Sequence, residues 1–338
     1  MAYDKPWISY FEQLSKLKDR GLIVTDDRRA LASLERIGYY RLSGYLYSFR
    51  ERSETCCPLS AQGRKKFKLG STDQLTLDNF KANASFEQAV DLYVFDKRLR
   101  LLVLDAIERI EIALRVDIAH TLGKQDALAY LKPDLLHPEF SKTIDPKTGL
   151  TKLHRWQESH ARLINRSREE FIQHHKAKYG LPVPLWIACE VWDFGTLSTL
   201  YAGMRNEEQD AISAKYGISN GRVFSSWLRS LNYLRNVCAH HSRLWNRNMT
   251  DQPKKPSKGE AVLFHSAWNS GNGHIQARPF LLLCITQHLL TTINPSSSWW
   301  QRVTQVLLNF PDIEELGLNL KGMGVIDHWQ TWEWDNEH

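Results

Sequence analysis

The sequence predicts an all-α protein, and three observations carry that expectation. Glycine and proline are scarce, 18 and 12 in 338 residues, which disfavours a turn-rich β fold. Apolar residues recur at intervals of three and four, most plainly over residues 85–122. Between the periodic stretches stand helix caps and stops such as Gly21, Thr25, Asp26, Gly38 and Gly123.

Residues 6–18 form an amphipathic first helix, with Trp7, Tyr10, Phe11, Leu14 and Leu17 on one side and Gly21 as its stop. Thr25 or Asp26 caps a second helix over residues 27–37, and Gly38 interrupts the chain. In outline the pair is a helix-turn-helix, which leaves a DNA-binding regulator open beside a plain helical hairpin. Tyr39, Tyr40, Tyr45, Tyr47 and Phe49 then interleave with Arg41 and Arg50. Such residues can stack RNA bases, but packing against the body is the favoured use. Residues 53–76 have the character of a polar, basic loop that includes R-K-K-F-K. Lys65 and Lys66 there are candidates for substrate contact, against the common alternative of a solvated charge run.

Over residues 85–122, Leu92, Phe95, Leu99, Leu102, Val103, Ala106, Ile110, Ala113, Leu114 and Ile118 fit one long helix ending at Gly123. Glu108, Arg109, Glu111 and Arg115 lie on it, and Glu111 with Arg115 is spaced for an ion pair within the helix. Residues 124–153 read as a connection with a turn at D-P-K-T-G. Residues 154–179 are expected as one polar helix with four histidines. No acidic or cysteine set accompanies those histidines, so no metal and no cofactor is expected. Residues 185–204 are expected as one buried helix, whose Glu190 would need an arginine partner. Residues 207–216 and 222–243 are further helices. Residues 246–273 read as an irregular basic segment whose Lys254, Lys255 and Lys258 could close over a bound strand. Residues 274–293 and 297–309 are the last helices, and the aromatic W-Q-T-W-E-W end is expected to dock. The domain reading is a helical N-terminal subdomain over residues 1–84, a helical core over 85–324 and a tail over 325–338.

The net charge of +6 and a pI near 9.0 give a mild bias toward polyanions. Five cysteines (Cys56, Cys57, Cys189, Cys238 and Cys284) without C-x-x-C spacing suit a reducing cytosol. There is no secretion signal, and the longest apolar run, around Phe280, is too short to span a bilayer. A cytoplasmic protein without membrane contact is the expectation.

The most informative stretch is S-W-L-R-S-L-N-Y-L-R-N-V-C-A-H-H-S-R-L-W-N, residues 226–246. It reads as one helix carrying Arg235, Asn236, His240 and His241. A histidine can move the proton of a ribose 2′-OH, and an arginine can stabilise a phosphate that gains charge. Spacing alone says little. With 24 arginines and 13 histidines, chance supplies roughly one such pair at each spacing. Arg115 with His120, Arg155 with His160, and Arg168 with His174 or His175 are decoys of that kind. Context separates Arg235. Asn236 follows it directly, and Asn232, Asn236 and His240 recur every four residues on one face. Leu228, Leu231 and Leu234 mark a different, core-facing side. Asn232 and Arg243 are candidate substrate contacts, with Lys65, Lys66, Lys254 and Lys255.

This arginine, polar residue and histidine after four to six positions resembles the signature of the HEPN ribonucleases. The wording R-N-V-C-A-H-H-S-R-L-W-N is close to that of bacterial abortive-infection (Abi) proteins of the AbiD/AbiF-like kind. K-P-W-I-S-Y-F-E-Q-L-S-K-L-K-D-R-G-L-I-V, G-Y-Y-R-L-S-G-Y and F-D-K-R-L-R-L-L-V-L-D-A-I-E-R-I-E-I-A-L-R resemble further blocks of that family. The resemblance implies a HEPN-type helical bundle with an N-terminal extension and irregular inserts. It also implies toxin-like, metal-independent RNA cleavage in anti-phage defence, with acidic and basic residues such as Glu108 and Glu111 near the groove. Arg235 would hold the phosphate, Asn236 would orient, and His240 or His241 would move protons. RNA is the expected substrate and a small RNA a conceivable regulator, and a homodimer would pair two signatures in one groove. A non-catalytic RNA-binding or regulatory protein on the same bundle is the rival reading.

Overall fold

The computed structural model describes residues 6–53, 74–268 and 273–334. The chain is predominantly helical, as the sequence predicts, and the described residues add one two-stranded sheet. It divides into two compact units, Met1–Arg98 with Val306–Leu320, and Leu99–Gln305 with Lys321–His338. Among the described residues, no helix is long and apolar enough to cross a membrane.

The first unit opens with α1 (Tyr10–Asp19). Its start is fixed by a capping box, in which Ser9 Oγ accepts from the Glu12 amide while the Glu12 carboxylate accepts from the Ser9 amide. Of the expected apolar side, only Leu14 and Leu17 are buried, whereas Trp7, Tyr10 and Phe11 are exposed. In α2 (Asp27–Ile37) the cap is Asp26, whose carboxylate accepts from the Arg29 amide at 3.0 Å. Thr25 instead donates both its amide and its hydroxyl to Glu87. Gly38, at φ +91°, separates α2 from α3 (Tyr39–Leu46). Tyr45 and Phe49 are buried, with the Tyr45 hydroxyl donating to Asp96 at 2.7 Å, while Tyr40 faces solvent. The short strands β1 (Arg50–Arg52) and β2 (Thr76–Phe80) pair antiparallel.

The long helix α4 (Phe86–Gly123) begins where Ser85 and Gln88 cap each other, and the two units divide it after Arg98. Its ends match the periodicity of the sequence to within a residue.

The second unit holds α5 (Pro138–Ser141), α6 (Lys152–Arg166), α7 (Glu170–Tyr179) and α8 (Leu185–Ala188). It continues through α9 (Phe194–Gly203), α10 (Asn206–Ala214), α11 (Gly221–Ala239), α12 (Gly273–Gln276), α13 (Pro279–Ile293) and the first part of α14 (Trp299–Leu308), which the unit boundary divides after Gln305. Residues 279–291 of α13 are all buried, which makes it the centre of this unit's core. α11 packs against α9, α10 and α13. Gly221 is required where α11 meets α10, because a Cβ there would lie 2.4 Å from that of Gln209.

Two expected helices are each divided. Residues 154–179 form α6 and α7, parted at Ser167, whose backbone turns extended and whose hydroxyl accepts from the Glu169 amide. Residues 185–204 form α8, a 3-10 turn and α9, because Asp193 ends one segment and caps the next through the Thr196 amide at 2.8 Å. Glu190 is exposed rather than buried, with Arg115 beside it at 3.8 Å.

Candidate active site

The residues singled out by the sequence gather at the end of α11. Asn220 starts this helix by accepting from the amides of Arg222 and Val223. Phe224, Trp227, Leu228, Leu231, Leu234, Val237 and Cys238 then bury one stripe, at three- and four-residue steps. The other face presents Asn232, Arg235 and Asn236, all half-buried. The Arg235 guanidinium donates to Asn236 Oδ1 at 3.3 Å, so the arginine does turn toward the polar stripe.

The helix is shorter than the sequence suggests. It ends at Ala239, with His240 as the cap residue and His241 beyond it in the left-handed region at φ +55°. The His241 amide donates to Cys238 O, and the Ser242 amide reaches back to Val237 O, each at 3.0 Å. These two bonds form the Schellman closure that glycine usually permits. A histidine takes the glycine position here, and both imidazoles stand exposed at the helix end. The His240 amide still bonds to Asn236 O at 3.0 Å, so His240 remains in register with Asn236 and Asn232.

The turn is held from below. Arg100 of α4, buried in the core, donates to Ser242 O at 3.3 Å. On the flank, Arg247 donates to the Tyr233 hydroxyl at 3.0 Å and lies over its ring. Arg243 is half-buried, and its positive charge acts on Arg278.

An acidic and basic network borders Arg235. Glu111 of α4 accepts from Arg115 at 3.1 Å, as the spacing anticipates, and Arg115 also donates to Trp192 O. Burial raises the Glu111 carboxyl above the usual range. Arg115 and Arg235 oppose that rise without cancelling it, while Asp193 and Glu108 add to it. Asn232 closes the network on the α9 side, where a Cβ on Gly195 would lie 3.3 Å from its amide nitrogen and 3.5 Å from Asp193 Oδ1.

Other expected contacts fall elsewhere. Lys254 is anchored by its backbone at the opposite end of α11, where its amide donates to Ser226 Oγ and its carbonyl accepts from Trp227 Nε1. That is about 20 Å along the helix from His240, so the structure does not bring Lys254 and its neighbour Lys255 to the histidines. Lys65 and Lys66, like Cys56 and Cys57, lie outside the described residues.

Two features were missed in the sequence. Asp193 is one, although W-D-F-G-T carries a capping aspartate. The other is a cleft of about 610 Å³ between α6, α9 and Asn232. Lys152, Arg155, Ser159, Arg162 and Arg166 line it at helical spacing along α6. The Trp156 indole donates to Thr196 O at 2.9 Å and joins its two walls. Behind it His160 stacks on Trp156 and accepts from Trp192 Nε1 at 2.9 Å, and burial depresses its pKa to about 4. Among the described residues, no group of three His, Cys, Asp or Glu side chains is placed to hold a metal ion.

A family model described as Abi-like protein matches residues 32–246, well over half of the chain. No curated protein and no solved structure matches.

Proposed function

The chain belongs to the Abi-like protein family, and from that premise we propose that it is a metal-independent endoribonuclease of the HEPN type serving abortive infection. The observation that carries this reading is the end of α11. It presents an exposed His240 about a turn and a half beyond a half-buried Arg235 that is bonded to Asn236 and whose charge acts on Glu111. An imidazole takes the ribose 2′-OH proton, and the 2′-oxygen attacks the adjacent phosphorus. Arg235 stabilises the charge that gathers on the phosphoryl oxygens; its guanidinium carries five donors, of which Asn236 engages one. The 5′-oxygen leaves with a proton from a second acid, giving a 2′,3′-cyclic phosphate and a free 5′-hydroxyl. One imidazole cannot supply both proton transfers in one step, so the second acid is assigned to a second copy of the chain in a homodimer. His240 is preferred to His241 because it keeps the helical register of Asn232 and Asn236.

The test is to express the wild type, Arg235→Ala and His240→Ala in cells and to sequence RNA ends. New 2′,3′-cyclic termini in the wild type alone are expected, and purified protein should keep its activity in EDTA. Cyclic termini that persist in both variants, or activity abolished by EDTA, would overturn the reading.

A further inference from the structure

The cleft beside α6 has a chemistry of its own, and we propose that it seats the sugar–phosphate backbone of a single-stranded RNA leading to the end of α11. This assignment rests on the ribonuclease reading of that helix end.

Lys152, Arg155, Arg162 and Arg166 stand on the cleft side of α6, spaced at three, seven and four residues. Among the described residues, Lys152 and Arg166 have no acidic partner within ion-pair distance. Arg162 meets Glu158 only at 3.8 Å, with both side chains largely exposed, which is a weak tie. Arg155 is engaged by Asp145 and Thr148 at the rim. Ser159 on α6 and, facing it, Thr199 and Asn232 add neutral hydrogen-bonding groups suited to ribose hydroxyls and base edges, and two carboxylates, Glu139 and Asp193, also line the cleft. Asp193 turns one carboxylate oxygen to the Thr196 amide at 2.8 Å, and the four cations of α6 outnumber the two carboxylates in the lining.

A second depression shares Leu163 and Arg166 with the first and continues past Arg168 and Phe171. Phe171 is 42% exposed, a large apolar ring in a depression that Arg166, Arg168, Glu169 and Glu190 also line. Stacking of an unpaired base on such a ring is the sequence-tolerant contact of single-strand binders. At the other end, Asn232 lines the cleft and lies two helical turns before His240, about 12 Å along the axis. The track therefore joins a stacking platform, a cationic wall and the proposed scissile site. A closed duplex would offer no splayed base to Phe171, which favours a single strand.

The experiment is fluorescence anisotropy with a labelled single-stranded oligoribonucleotide made uncleavable by 2′-O-methylation. It compares the wild type, Arg162→Gln/Arg166→Gln, Arg162→Lys/Arg166→Lys and Phe171→Ala, each shown by circular dichroism to be folded. The Gln pair should bind about tenfold or more weakly, and its salt dependence should be shallower by about 1.4 in log–log slope for two lost phosphate contacts. The Lys pair should recover most of the affinity. Phe171→Ala should weaken binding without changing the salt slope. An unchanged affinity and slope in the Gln pair, or equal affinity of the wild type for polyglutamate or duplex DNA, would overturn the assignment. Because the probe cannot be cut, a protein that binds it through Arg162 and Arg166 yet yields no cyclic termini would refute the ribonuclease reading alone.

Discussion

The buried guanidinium of Arg100 donates to the carbonyl of Ser242 at 3.3 Å. Ser242 is the residue whose amide closes the end of α11 by bonding to Val237 O. One peptide neighbourhood is thus held on both sides, by the helix it terminates and by an arginine from α4. The two histidines sit immediately before it, so their placement depends on a residue that need not touch substrate. A hydrogen bond to a buried charge is worth about 2 kcal/mol. Arg100→Met keeps the bulk and removes the donor. It should lower unfolding free energy by about that amount and reduce the rate of RNA cleavage by about tenfold or more. Denaturant unfolding and a cleavage time course on the same preparation check both. Wild-type cleavage in a destabilised Arg100→Met would show that the turn does not depend on this anchor.

His241 occupies a position that favours glycine, at φ +55°. A non-glycine residue there carries strain of order 1–2 kcal/mol. His241→Ala retains the strain and removes the imidazole, whereas His241→Gly removes both. The glycine variant should therefore exceed the alanine variant in stability by about 1 kcal/mol, measured by chemical denaturation. If His240 is the proton carrier, both variants should still produce cyclic termini. Loss of cleavage in both, with His240→Ala active, would move the role to His241.

Much of this architecture is legible in the sequence because local signals agree with the final packing. Asp26, Gly38 and the 3.6-residue periodicity of α4 set ends that tertiary contacts do not override. Leu228, Leu231 and Leu234 form the predicted core-facing side of α11, and all three are fully buried. The breaks at Ser167 and Asp193 were obscured because the flanking apolar residues keep helical spacing across them, and the small capping side chain is the only local sign. The end of α11 was obscured for the opposite reason. A stop is usually announced by glycine, and here histidine adopts the left-handed turn. The α6 cleft could not be read at all. Its cationic stripe looks like any solvated helix face until α9 and Asn232 supply the facing wall.

Arg235 and Glu111 are coupled through charge, which gives a test independent of turnover. The positive charge of Arg235 holds down a carboxyl that burial pushes up. Removing that charge makes the ionised form of Glu111 harder to sustain, so in Arg235→Ala its pKa should rise further. Carboxyl-carbon NMR titration of wild type and variant reads the direction, and an unchanged or lower value would mean that the two groups do not face one another. Arg235→Lys keeps a charge but loses the planar fork that matches a phosphoryl group. Its kcat should fall on the order of ten- to a hundredfold with little change in KM, the pattern of an interaction formed in the transition state.

The histidine behind the cleft predicts an acid limit to stability. Burial disfavours the charged form of His160, so its pKa falls from 6.5 in the unfolded chain to about 4 in the folded protein. Above pH 6.5 neither state binds the proton, and the stabilisation is complete. As pH falls below 6.5 the unfolded chain takes up a proton that the native ring refuses, and stability declines until the native ring also protonates near pH 4. The integrated loss is at most roughly 3 kcal/mol, less for the part of the ring that water reaches. His160→Gln keeps an acceptor for Trp192 Nε1 but cannot titrate. Urea unfolding between pH 7 and pH 4.5 should show a steeper loss in the wild type than in His160→Gln, by up to one proton in linkage slope. Parallel curves would mean that the imidazole is hydrated and does not form part of the packed wall with Trp156.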